Sequence, residues 1–127
     1  LNKISNQKNI KIYKSQLDIS TFYLESSFLV VASEYESFSL VTAEALFYKL
    51  PVVGFQNCIG LNELIEHNSN GILVEHKGRK SINLYNQLFD IIASKSYEVL
   101  SRDNTKIISK YEIYNVIKKW NNLFDRI

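Results

Sequence analysis

Two carboxylates set eight positions apart, Glu36 and Glu44, are the residues whose type and setting best suit chemistry in this 127-residue chain. They bracket the segment Glu36-Ser37-Phe38-Ser39-Leu40-Val41-Thr42-Ala43-Glu44, which follows an apolar run and leads into a helical pattern. If the helix begins near Ser39, the amides of Phe38, Ser39 and Leu40 are among the unpaired donors of its amino end. Such donors, with the helix dipole, favour an anion such as phosphate. Ser37 and Ser39 are small enough to let a ligand reach the backbone, and their hydroxyls add donors. Glu44 falls among Leu40, Val41, Ala43, Ala45, Leu46, Phe47 and Tyr48, where a carboxylate is costly without partners. It stands too far along for capping. Two readings stay open for it: it accepts the hydroxyls of a ribose cis-diol, as acidic residues do in dinucleotide folds, or it bonds a neighbouring backbone group or Lys. Glu36 also has two, since Ser33-Glu34-Tyr35-Glu36 fits a capping box. The pair does not read as two glycosidase carboxylates, because nothing sets them face to face.

The elements that must position these residues follow from apolar spacing. Phe28–Ala32 and Val52–Phe55 are continuous apolar runs of the kind buried on both faces of a parallel sheet, and Ile72–Val74 is a third. Ile10–Tyr13 reads as a fourth strand. Asp18–Glu25 reads as a helix capped by Asp18, with Ile19, Phe22 and Tyr23 on one face. Ser39–Lys49 reads as a helix halted before Pro51. Asn62–His67 reads as a short helix ended by Asn68-Ser69-Asn70-Gly71. Beyond residue 80 strands cease. Tyr85, Leu88, Phe89 and Ile92 share a helical face, residues 95–110 are a poorer helix, and Ile113, Val116, Ile117, Trp120, Leu123, Phe124 and Ile127 form an amphipathic stripe expected to pack in the core. The alternation predicts an α/β fold, a Rossmann-like parallel sheet flanked by helices. Ligands of such sheets bind outside the carboxyl ends of the strands, which points to the residues after Ala32, Phe55 and Val74.

Composition narrows the classes. An apolar content of 46% and a charged content of 22% argue for a folded domain. A net charge of +2 gives little reason to expect nucleic acid. The basic run His76-Lys77-Gly78-Arg79-Lys80 reads as a solvated loop, and His67 as a surface residue. Cys58 is the single cysteine and reads as a buried filler. No apolar stretch approaches the roughly 20 residues of a membrane span. The chain starts at Leu1 and contains no Met, which reads as a removed leader or a piece of something larger. A reducing, cytoplasmic setting fits.

Glu36 and Glu44, with Ser-Phe-Ser-Leu directly after the first and Leu50-Pro51-Val52-Val53 beyond the second, resemble the Glu-x7-Glu region of the retaining GT-B glycosyltransferases of group 1, or family 4. Asn62-Glu63-Leu64-Ile65-Glu66-His67-Asn68-Ser69-Asn70-Gly71-Ile72-Leu73-Val74 resembles that family's next block. The likeness covers about residues 10–127. It implies a nucleotide-sugar-binding domain, partial over 1–127. Glu36 would be catalytic, bonding the donor sugar near its reacting carbon. Ser37, Phe38, Ser39 and Leu40 would face the sugar and diphosphate, and Glu44 would hold the ribose. The implied reaction moves a hexosyl group from a nucleoside diphosphate to an acceptor hydroxyl with retention, with no metal and no cofactor besides the donor. The implied acceptor is a glycan or lipid-linked glycan, in polysaccharide biosynthesis. Association with the inner face of the membrane is also implied.

The resemblance further expects an amino-terminal acceptor domain and diphosphate-binding Arg and Lys upstream of Leu1, so the chain by itself would be inactive. Three positions depart from the family: Ser37 and Lys49 stand for Gly, and a Gly-Gly pair appears as Ile59-Gly60. The rivals are a sugar-nucleotide epimerase of related fold and a noncatalytic α/β interaction module. A receiver-type module is disfavoured by Ser33, Gln56 and Glu75 at strand ends where it needs Asp.

Overall fold

Continuous apolar runs do become the strands. The computed structural model describes residues 9–75, 80–100 and 103–125. Strands β1 (Leu29–Val31), β2 (Val52–Phe55) and β3 (Gly71–Val74) form one parallel sheet in that order. Leu29 pairs with Val52, and Val52 with Gly71, so the three strands start together, and β1 ends one residue before the other two. Every residue of β2 is buried, as expected of a central strand covered on both faces. Helix α2 (Leu40–Phe47) returns the chain from β1 and packs on β1 and β2. Helix α4 (Lys80–Ser94) packs on β3, and α5 (Thr105–Tyr111) on α2. The remaining helices are α1 (Ser20–Glu25), α3 (Ile59–Asn62) and α6 (Ile113–Phe124). The core gathers Tyr23, Leu46, Leu50, Leu61, Leu64 and Ile91 around the strand residues, with Cys58 fully enclosed. Among the described residues no helix is long and apolar enough to cross a membrane.

Several expectations are corrected. Residues 10–13 are not a strand, so the sheet has three strands and not four. Ile12 and Tyr13 stay more than half exposed, and the Tyr13 ring instead meets Phe22 edge-on at 4.8 Å. Strand propensity is a preference for a pleated, half-buried surface, and nothing described offers these residues one. Asp18 does start α1, though from one position outside the cap: its carboxylate accepts the Ser20 N–H at 2.8 Å. The helix expected at 62–67 is displaced to α3. The cause is Asn70, almost fully buried, whose amide oxygen accepts the Glu66 N–H while its nitrogen donates to the Leu64 carbonyl. A buried side-chain amide thus takes backbone groups that a longer helix would use. His67, at the surface, accepts the Leu73 N–H on Nδ1 at 2.9 Å.

After β3 the corrections concern faces. In α4 the inward residues are Leu84, Leu88 and Ile91, whereas Tyr85, Phe89 and Ile92 are exposed. Residues 95–110 divide into a 3₁₀ turn at Ser96–Val99 and α5. The α6 stripe is not in the core: Trp120 is 56% exposed and Ile113 74%. Helix α6 lies beside α5, and its Trp120 ring stacks on Phe124. The basic run at 76–79 and Ile127 lie outside the described residues.

Helix α2 ends in a Schellman motif. The Lys49 N–H donates to the Leu46 carbonyl at 3.0 Å and the Leu50 N–H to the Ala45 carbonyl at 2.9 Å. The motif puts Lys49 at φ 60°, in the region that favours glycine, which is why Lys at this position departs from the family pattern. A left-handed non-glycine residue costs about 1–2 kcal/mol, and glycine returns about 0.5–1 kcal/mol of that through its unfolded-state freedom. Lys49→Gly should therefore stabilise the fold by about 0.5–1 kcal/mol in urea denaturation, and a lower midpoint would contradict this account of the turn.

Candidate functional site

Parallel strands in common register deliver their following loops to one edge of the sheet. After β1 the chain runs through residues 32–39 and enters α2. After β2 it turns at once into α3. The two loops are bonded together: the Gly60 N–H donates to the Glu36 carbonyl at 2.9 Å. Gly60 also leaves no room there. A Cβ on it would lie 2.6 Å from the Glu36 carbonyl oxygen and 3.0 Å from the Glu36 Cβ. The Glu36 backbone is thus clamped against the start of α3. Its side chain is partly buried, and the carboxylate has no hydrogen-bond or ionic partner among the described residues. The capping box is not formed, because α2 begins at Leu40 and no hydrogen bond joins Ser33 to Glu36.

Ser37 and Leu40 are exposed, Phe38 is partly buried, and Ser39 is 1% exposed. Ser39 is the N-cap of α2, yet its side chain caps no amide. The buried Ser39 Oγ accepts the Thr42 hydroxyl at 2.9 Å, so it faces the core side of the helix. The amides of Phe38, Ser39 and Leu40 donate to no described group. These are the orphan donors of a helix amino end. The Phe38 ring packs on Tyr111 of α5 at 5.0 Å, and the Tyr111 hydroxyl reaches Glu63 at 3.4 Å. The aromatic side chain therefore fixes the loop, a role that spacing alone does not suggest.

Glu44 lies one turn along α2, on its exposed face with Leu40, Val41 and Phe47, while Thr42, Ala45 and Leu46 face inward. The helix surface around it is apolar in composition but open to solvent, so the expected burial of the charge is corrected. Its partner is neither backbone nor Lys: the Tyr23 hydroxyl of α1 donates to Oε2 at 2.9 Å. Oε1 has no partner among the described residues. Burial, then the bond to Glu44 and its charge, push the Tyr23 hydroxyl up to about 12, so it remains a donor at any ordinary pH. No hydrogen bond or ion pair joins Glu36 to Glu44. Glu44 borders a mostly apolar hollow of about 330 Å³ between α2 and α5, and Tyr23 lines a second, of about 480 Å³, with Tyr13, Lys14, Gln16 and Val41. No group of three or more His, Cys, Asp or Glu residues is gathered as a metal site among the described residues. The sequence signal missed was Tyr23, read only as part of an apolar face.

The sequence model of a family described as "Glycosyl transferases group 1" matches residues 2–110. The chain is 37% identical over 108 residues to the poly(ribitol-phosphate) alpha-N-acetylglucosaminyltransferase of Staphylococcus aureus, covering 80% of this chain and 21% of that protein. It is 26% identical to the amylovoran biosynthesis glycosyltransferase AmsD of Erwinia amylovora, covering 98% of this chain and 35% of the relative. The chain thus spans about a fifth to a third of the length of these relatives. The fold is shared with a chain of the GtfA/B complex at TM-score 0.71 and 24% identity, over 89% of this chain and 24% of that one. It is also shared with Anabaena HepE, solved in complex with UDP-glucose, at TM-score 0.72 and 17% identity over 99% of this chain and 35% of that one. The Rossmann-like α/β fold expected from the GT-B resemblance is the fold observed.

The Gly60 clamp gives a stability test with opposed terms. Alanine gains about 0.8–1 kcal/mol of helix propensity over glycine. A methyl forced onto a backbone carbonyl costs about 1–3 kcal/mol, and a carbonyl cannot rotate aside as a side chain can. Gly60→Ala should therefore destabilise by about 1–2 kcal/mol in chemical denaturation. An unchanged midpoint would mean that the Glu36 loop is not clamped.

Proposed function

We propose, since the chain belongs to the family of group 1 glycosyl transferases, that it forms the nucleotide-sugar side of an enzyme that moves a sugar from a nucleoside diphosphate to an acceptor hydroxyl, with retention at the transferred carbon. The observation that carries this reading is the order of groups along one segment. An unpartnered Glu36 carboxylate, three unpaired amides at the start of α2 and the half-free carboxylate of Glu44 follow one another. They correspond in order to sugar, diphosphate and ribose. Two similar proteins support the substrate class: an alpha-N-acetylglucosaminyltransferase and a protein solved in complex with UDP-glucose. A glycan acceptor is proposed by the same likeness.

In this reading the barrier lies in the charge that builds on the departing diphosphate. Preorganised donors stabilise such charge because they need no reorientation as it grows. The unpaired amides of Phe38, Ser39 and Leu40 at the α2 terminus carry part of that task, with the helix dipole behind them. Glu36 accepts hydroxyl hydrogens of the sugar and fixes its reacting carbon over the amides. Glu44 accepts the ribose hydroxyls and anchors the nucleoside.

Glu44→Ala in the full-length protein should weaken nucleoside-diphosphate binding by about 1.5–3 kcal/mol, the range for a hydrogen bond to a charged group. Calorimetry checks it, and unchanged affinity would sink the ribose assignment. Glu36→Gln should act chiefly on turnover, lowering kcat by about tenfold or more, which is ~1.4 kcal/mol of barrier. Wild-type turnover in that variant would make Glu36 a structural residue.

A further inference from the structure

Glu44 is on an exposed helix face, where a glutamate side chain ordinarily samples several rotamers. Here one oxygen is held. The Tyr23 hydroxyl comes from α1, is 21 positions away in sequence, and donates to Oε2 at 2.9 Å. Tyr23 itself has little freedom: it is 6% exposed, and its ring stacks on Tyr48 at 5.4 Å and 25°. Tyr48 is the C-cap of α2. The α2 helix therefore locks, through its own end, the ring whose hydroxyl reaches back to its middle. The remaining oxygen, Oε1, is left free among the described residues, as is a second lone pair on Oε2. Two acceptor sites on one immobilised carboxylate match two adjacent hydroxyl donors.

We propose that Tyr23 is the positioning residue of the ribose-binding carboxylate: its hydroxyl fixes the Glu44 rotamer before the nucleotide arrives, so that the diol meets a preset acceptor pair. This rests on the ribose role of Glu44. The physical gain is preorganisation, since holding a flexible side chain in its bound rotamer removes a binding penalty without adding a contact to the ligand. Tyr23 touches no part of the donor in this arrangement. A merely structural Tyr23, tying α1 to α2, would affect stability and leave ribose recognition alone.

The test uses Tyr23→Phe in the full-length protein, which keeps the ring and its stack on Tyr48 and removes only the hydroxyl. Uridine, guanosine and adenosine diphosphates are titrated by calorimetry, and the tightest is paired with its 2′,3′-dideoxy counterpart. Tyr23→Phe should weaken the ribose form about three- to tenfold, the range for one released rotamer-rich side chain. It should leave the dideoxy form unchanged, and in a Glu44→Ala background it should add nothing. Equal weakening of both forms, or none, overturns the positioning role. If Glu44→Ala weakens binding while Tyr23→Phe does not, only this inference falls. If Glu44→Ala binds as the parent does, or no diphosphate binds the parent, the ribose reading falls and takes this one with it.

Discussion

The parallel pairing of β2 with neighbours on both sides is the constraint from which the rest of the molecule follows. Three strands that point the same way cannot be joined by hairpins. Each connection must carry the chain back along the sheet, and α2 does this between β1 and β2. The same rule brings every post-strand loop to a single edge. That is how Glu36, after β1, comes to lie against Gly60, after β2, although 24 positions separate them. The meeting needs a residue without a side chain on the α3 side, and Gly60 supplies it. Of the two glycines the family resemblance calls for, the one retained is the one against which Glu36 sits.

Much of this fold was legible because a buried parallel strand leaves a plain mark. Val52–Phe55 and Ile72–Val74 are short, unbroken apolar runs bounded by turn residues, and both became strands. Ile10–Tyr13, interrupted by Lys11, also suggests a strand and is not one, because a strand needs a partner and its residues alone do not say whether one is there. The stripes of α4 and α6 mislead for a related reason. Periodicity identifies which residues share a face, and it is silent on which of two apolar faces another element covers. In α4 the chain has apolar residues on both sides, and Leu84, Leu88 and Ile91 meet the core. In α6 the stripe is real, and no described element covers it.

The candidate site divides in the same way. Glu36 and Glu44 stood out from their neighbours in the linear chain, as carboxylates near an apolar run and within one. Their supports did not. Gly60 and Tyr23 act through contacts between distant segments, and Tyr23 looked like any aromatic of an amphipathic helix. The block from Asn62 to Val74 shows the converse. Its polar residues invite a functional reading, yet Asn70 and His67 spend their polar atoms on backbone groups nearby. They shape the turn into β3.

The bond between the Gly60 amide and the Glu36 carbonyl also makes the site loop observable from outside. An amide proton exchanges with solvent only when its hydrogen bond opens, so exchange at this single position follows how often the loop lifts from α3. The carboxylate of Glu36 rides on that loop. One slow or fast proton on a four-residue helix thereby reports the free energy separating a clamped Glu36 from a released one, with no ligand present and without any change to the chain.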